Sequence, residues 1–182
     1  MDTSVGIPQI DGYADALVSK TNEFADYLKD ISQRAEDVRK GYVSRKDDNM
    51  LKITTDGRKA ALDLRLVDPN AMFTYQSKVA RCVENVADIY FRTTAQKSVQ
   101  IIFCDTSTPK TGFNIYDEVK TMLQSKGIPA DKIAFIHDAE TEAQRNAMFA
   151  EVRNGDIRVL LGSTFKLGLG VNIQDKLIAL HH

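Results

Sequence analysis

The chain has 182 residues, with 24 Lys and Arg against 25 Asp and Glu for a formal charge of −1. A hydrophobic fraction of 43% beside 27% charged residues is globular composition and excludes collagen-like, fibrous and disordered classes, and the length suits one ordinary domain with a real core. The near-neutral charge neither proposes nor excludes a nucleic-acid partner, because a local basic patch can sit inside a neutral total.

The opening MDTSVGIPQIDG has no basic segment followed by an apolar one, and nowhere do about 18 apolar residues run together, so neither a signal peptide nor a membrane span is expected. From Asp11 to about Tyr42, the positions Leu17, Thr21, Phe24, Leu28, Ile31, Ala35, Val38 and Tyr42 recur at spacings of four and three. That spacing predicts one long amphipathic helix. Its short seam, which includes Thr21 and Ala35, favours a helix lying across its own domain over a coiled coil with a partner chain. Residues 43–76 read as connecting structure: a charged loop, a short helix broken near Gly57, and a turn at Asp68-Pro69-Asn70.

From Ser77 the pattern sharpens. A helix with Val79, Cys82, Val83, Val86, Ile89 and Tyr90 on one face precedes the strand-like run VQIIFC (99–104). A polar loop follows, then a helix carrying Ile115, Val119, Met122 and Leu123 that closes at Lys126-Gly127 with Pro129 beyond. The run IAFIH (133–137) precedes Thr141-Glu142-Ala143-Gln144, which has the form of a capping box, and that helix ends at Asn154-Gly155. IRVLLG (157–162), a glycine-bearing loop to about Gln174, and KLIALHH complete the chain. Strands alternating with helices predict an α/β fold, a mostly parallel sheet with helices on both faces, over 77–182, preceded by a helical lead-in and connecting segment over 1–76. Cys82 and Cys104 sit inside apolar runs and are expected to be buried free thiols in a reducing, cytoplasmic setting.

In an open parallel sheet, ligands bind beyond the carboxyl ends of the strands. The segments predicted there are Asp105 to Gly112, His137 to Thr141, and Ser163 to Asn172. Hydroxyls from Thr106, Ser107, Thr108, Ser163 and Thr164, with bare amides near Gly168 and Gly170, suit phosphate oxygens, although such loops are also common turn chemistry. No G-x-x-x-x-G-K-[ST], G-x-S-x-G, H-E-x-x-H or C-x-x-C occurs, which leaves a self-contained P-loop motor, an acyl hydrolase, a zinc protease and a thioredoxin-type protein unsupported. His137 beside Asp138 reads as a locally hydrogen-bonded strand-end histidine in preference to a metal ligand.

Taken in order, these loops resemble the second RecA-like lobe of superfamily 2 helicases, above all the Snf-type DNA translocases. STFKLGLGVNI (163–173) is similar to their motif V, S-T-x-x-G-G-x-G-[IL]-N-L, with Leu167 in place of the first glycine. His137, Arg145 and Gly155 keep the spacing of a second pattern, with Asp138 where a glycine is usual. IIFCDTST (101–108) resembles motif IV, and Ser77-Lys78 resembles the start of the lobe. More narrowly, residues 48–69, IIFCDTSTPK and LIALHH are similar to the helicase region of large bacterial methylase-helicase fusion proteins of mobile elements.

The resemblance implies that Thr106, Ser107, Arg145, Ser163 and Thr164 contact a DNA backbone, and that Gly168, Gly170 and Asn172 face an ATP-Mg site held mainly by an N-terminal P-loop lobe of the same parent protein. It also implies that the arginine finger of motif VI lies beyond His182, so that the chain is inactive as an ATP hydrolase by itself. The site then holds no catalytic residue and no metal of its own, and the location is the bacterial cytoplasm. Two other readings of the residues stand beside this one. A self-contained phosphoryl-transfer or signalling domain would use Asp105 as acceptor, but Ser107 stands where a phosphatase wants a second aspartate. An interaction platform would instead use the N-terminal helix.

Overall fold

The computed structural model describes residues 11–167 and 173–182. Four strands, β1 (Val99–Phe103), β2 (Ile133–Phe135), β3 (Val159–Gly162) and β4 (Leu177–His181), form one sheet in the order β2-β3-β1-β4. Every pairing is parallel. Six helices accompany it among the described residues: α1 (Asn22–Lys40), α2 (Met50–Leu62), α3 (Lys78–Arg92), α4 (Ile115–Ser125), α5 (Glu142–Asn154) and the short α6 (Thr164–Leu167). No helix of the described residues is long and apolar enough to cross a membrane.

The parity of the strands divides the core. Ile102, Val159 and Leu161 point to one face, against Val83 and Val86 of α3 and Tyr116, Val119 and Leu123 of α4. Ile101 and Leu160 point to the other, against Val152 of α5 together with Ile136 and Leu167. Side chains alternate along a strand, so a run such as VLL must be apolar throughout when helices cover both faces.

Local signals set most helix ends as the sequence predicts. Ser77 caps α3 by accepting from the Ala80 amide. Thr141 and Gln144 complete a capping box on α5, with bonds of 3.2 and 2.9 Å. Gly155 ends α5 at φ 76°, in the left-handed region that a residue with a Cβ enters at a cost. The site is also crowded, since a Cβ there would fall 2.7 Å from Lys97.

Three expectations are corrected. The N-terminal helix starts at Asn22 and not near Asp11, because the Thr21 hydroxyl accepts from the Phe24 amide and closes the helix there. Leu17, upstream of that cap, is 88% exposed. Gly57 does not break α2, which runs through it with Asn49 as its cap and Ile53 and Ala60 buried. An isolated helical glycine costs only about 1 kcal/mol, and the packing of α2 outweighs it. Finally, β2 stops at Phe135, and Ile136–Asp138 form a 3₁₀ turn, so His137 is not in a strand.

Three arginines tie these elements together. Arg34 of α1 donates to Asp48 at 2.7 and 3.0 Å and to Asp56 of α2 at 3.0 Å, so α1 lies on its own chain. Arg65 pairs with Asp63 at 2.7 Å and with Glu118 of α4 at 2.9 Å, and its guanidinium lies over the rings of Phe73 and Phe113. At the amino end of the sheet Arg158, 3% exposed, donates to the carbonyls of Tyr90, Thr93 and Ser98 and stacks 3.8 Å from the Tyr90 ring. The cation satisfies the last carbonyls of α3, where the helix dipole is negative.

Candidate functional site

The loops after β1, β2 and β3 share the carboxyl edge of the sheet, where the parallel topology puts them. Register then decides which side chains meet. Phe103 is paired with Gly162, and the Cys104 amide donates to the Gly162 carbonyl at 2.9 Å. Two residues further along each chain, Asp105 stands against Thr164. Its carboxylate accepts from the Thr164 amide at 2.7 Å and from the Thr164 hydroxyl at 2.8 Å. Both groups are exposed, so the bond is made at the open lip of the crevice.

Each partner is held in place by its own loop. On the β1 side, Ser107 adopts φ 62° and its hydroxyl oxygen accepts from the Ile115 amide at 3.1 Å. Asn114, 1% exposed, caps α4 and donates to the carbonyls of Lys110 and Gly112. The Tyr116 hydroxyl donates to the Cys104 carbonyl at 2.7 Å, and the Cys104 thiol to the Thr106 carbonyl at 2.8 Å. On the β3 side, Ser163 accepts from the Lys166 amide, and Leu167, 6% exposed, anchors α6 in the core. Leu167 lies over the bare Cα of Gly162. A Cβ there would fall 2.7 Å from Ile136 Cγ2 and closer still to Leu167. Leu167 therefore has a packing role, and Gly162 makes room for it.

The residues predicted for the site are thus only partly free. Ser163 is half-buried and serves its own helix. Thr164 is exposed, but both of its donors are engaged by Asp105. Thr106 and Ser107 are half-buried, the second engaged in capping α4. Arg145 is exposed on the first turn of α5 and has no ion pair among the described residues. Gly168, Gly170 and Asn172 lie outside the described residues.

His137 differs from the expected locally bonded histidine. Its buried Nδ1 finds no hydrogen-bond partner among the described residues, and the ring stands edge-on to Tyr116 at 5.2 Å. Burial, with Lys166 nearby, lowers its pKa below the ordinary imidazole value. Cys82 and Cys104 are free, as expected, but partly buried. Burial raises Cys82 to about 12 and Cys104 to about 11, which keeps both protonated and unreactive. No group of three or more His, Cys, Asp or Glu side chains among the described residues could hold a metal ion.

Sequence reasoning had singled out Asp105 for phosphoryl chemistry and Thr164 for phosphate contact, but did not pair them. The signal was available in the parity of the two strand ends. It also missed Asn114, although an Asn three residues before Asp117 has the form of a helix cap. Comparison with protein-family models, with curated proteins and with solved structures finds no match for this chain.

Proposed function

We propose that the chain is the second RecA-like lobe of a superfamily 2, Snf-type DNA translocase, which grips a nucleic-acid backbone and closes against a P-loop lobe of the same parent protein. The observation that carries the reading is the junction of two loops. The segments resembling motifs IV and V emerge from adjacent parallel strands and touch through Asp105 and Thr164. The exposed cation Lys166 follows Thr164 on the β3 side, and Arg145 is exposed on the first turn of α5, the helix that follows β2. Such groups contact phosphates without reading sequence, which suits a lobe that must move along any strand. A four-stranded, all-parallel α/β sheet is compatible with that fold.

In this reading ATP and Mg²⁺ are held chiefly by the other lobe. This chain's share of the nucleotide contact falls to Gly168, Gly170 and Asn172. The chain's own work is to hold the backbone and transmit closure.

Fluorescence anisotropy with single- and double-stranded oligonucleotides at 50 and 200 mM salt tests the reading. Expected is weak binding, with Kd on the order of 10⁻⁴ to 10⁻⁶ M, that loosens with salt and loosens further in Arg145→Ala or Lys166→Ala. The isolated chain should turn over no ATP, since an arginine finger contributes about 10³ to 10⁵ in rate. Absence of salt-sensitive binding, or Mg-dependent ATP turnover that scales with the concentration of the chain, overturns the reading.

A further inference from the structure

Thr164 is the residue through which the β3 loop would hold a phosphate, yet its amide and its hydroxyl both donate to Asp105, at 2.7 and 2.8 Å. A carboxylate is itself an oxyanion with two acceptor oxygens, and it makes with Thr164 the two bonds that a phosphate group would make. We propose that Asp105 is a built-in competitor for the backbone contact, an autoinhibitory latch that a nucleic-acid phosphate must displace before the β1 and β3 loops can grip. The proposal rests on the nucleic-acid reading above and goes beyond it by giving a named side chain a negative role in binding.

Two features favour a latch over a structural tie. The β1 loop keeps its shape without Asp105, through Ser107 on Ile115, Asn114 on Lys110 and Gly112, and Tyr116 on Cys104. The β3 side is likewise fixed independently, by Leu167 buried over Gly162 and by Ser163 on the Lys166 amide. The Asp105–Thr164 bond therefore joins two elements that strand register has already brought together, and releasing it leaves the fold in place. The carboxylate is exposed and has no ion pair among the described residues. Water and counterions can solvate it when it swings away, so displacement is inexpensive, as for other surface charges.

The test uses the full chain as wild type, Asp105→Asn, Asp105→Ser and Asp138→Asn, with binding to a single-stranded oligonucleotide followed by anisotropy. Amide hydrogen exchange over residues 163–167 is followed in parallel. Asp105→Asn and Asp105→Ser should bind roughly threefold to fivefold tighter, with faster exchange of the Thr164 amide. Asp138→Asn removes the same charge from the neighbouring β2 loop without freeing Thr164, and should change affinity by less than about twofold. If wild type binds and both Asp105 variants bind equally or more weakly, the latch is wrong and the nucleic-acid reading stands. If Asp138→Asn tightens binding as much as they do, the effect is charge alone and the latch is again wrong. If wild type and Asp105 variants alike show no salt-sensitive binding, the nucleic-acid reading itself fails.

Discussion

Gly162 and Leu167 offer a direct measurement of how the site's loop is packed. In Gly162→Ala, the new Cβ would fall 2.7 Å from Ile136 Cγ2 and nearer still to Leu167, where carbon atoms in contact stand about 3.5 to 4.0 Å apart. Both neighbours are buried, at 0% and 6% exposure, so about 1 Å must be found inside a packed core. Overpacking of this kind costs about 1 to 3 kcal/mol, and the upper end, about 3, applies here. Leu167→Ala removes a buried side chain at the end of a short helix that can partly collapse, costing about 2 to 3 kcal/mol. Independent effects would sum to about 5 to 6 kcal/mol. If the two residues fill the same space, truncating Leu167 relieves most of the clash and leaves only Ile136 to be moved. The double variant then costs about 3 to 4 kcal/mol, a coupling of about 2. Equilibrium urea unfolding of the wild type, the two single variants and the double variant measures it. Additivity within about 0.5 kcal/mol would refute the shared-space account and, with it, the packing role given to Leu167.

Three further outcomes follow from the same packing. Arg158→Ala strips the carbonyls of Tyr90, Thr93 and Ser98 of a buried donor and should cost about 3 kcal/mol in urea unfolding, with Arg158→Lys intermediate because an ammonium lacks the fork; a cost below about 1 kcal/mol for Arg158→Ala would contradict the capping role. His137 and His181 are both held below the ordinary imidazole pKa, chiefly by burial. As pH falls below about 6.5, the unfolded chain takes up protons that the folded chain refuses, so stability should drop between pH 7 and pH 5. The drop should be shallower in His181→Gln, and a flat unfolding midpoint across that range would refute the assignment. The thiols, raised to about 12 at Cys82 and about 11 at Cys104, should react with Ellman's reagent at pH 8 at least tenfold more slowly in the folded chain than in urea; equal rates would show that the burial is wrong.

Much of the α/β portion was legible because its signals are local. Unbroken apolar runs at IIF and VLL announce strands buried on both faces, Gly127 and Gly155 end helices where a left-handed residue is needed, and Thr141 with Gln144 writes its own cap. The errors lie where a local rule met a tertiary one. Gly57 looked like a break until the packing of α2 carried the helix through it. The seam of α1 seemed to reach back to Leu17 until the Thr21 hydroxyl closed the helix at Asn22. His137 belonged to an apolar run and ended in a 3₁₀ turn.

The amino-acid sequence by itself determined which segments are strands and helices, and it placed the hydroxyl-rich loops beyond strand ends, because periodicity and caps act within a few residues. Only the tertiary structure decided what those loops hold. Asp105 and Thr164 are 59 residues apart, and Arg158 caps a helix more than 60 residues upstream. Such pairings come from the order and register of parallel strands, which no local pattern encodes. The near-neutral charge therefore acquires a structural meaning in its distribution: the one carboxylate that meets Thr164 sits where the sequence alone suggested an open phosphate contact.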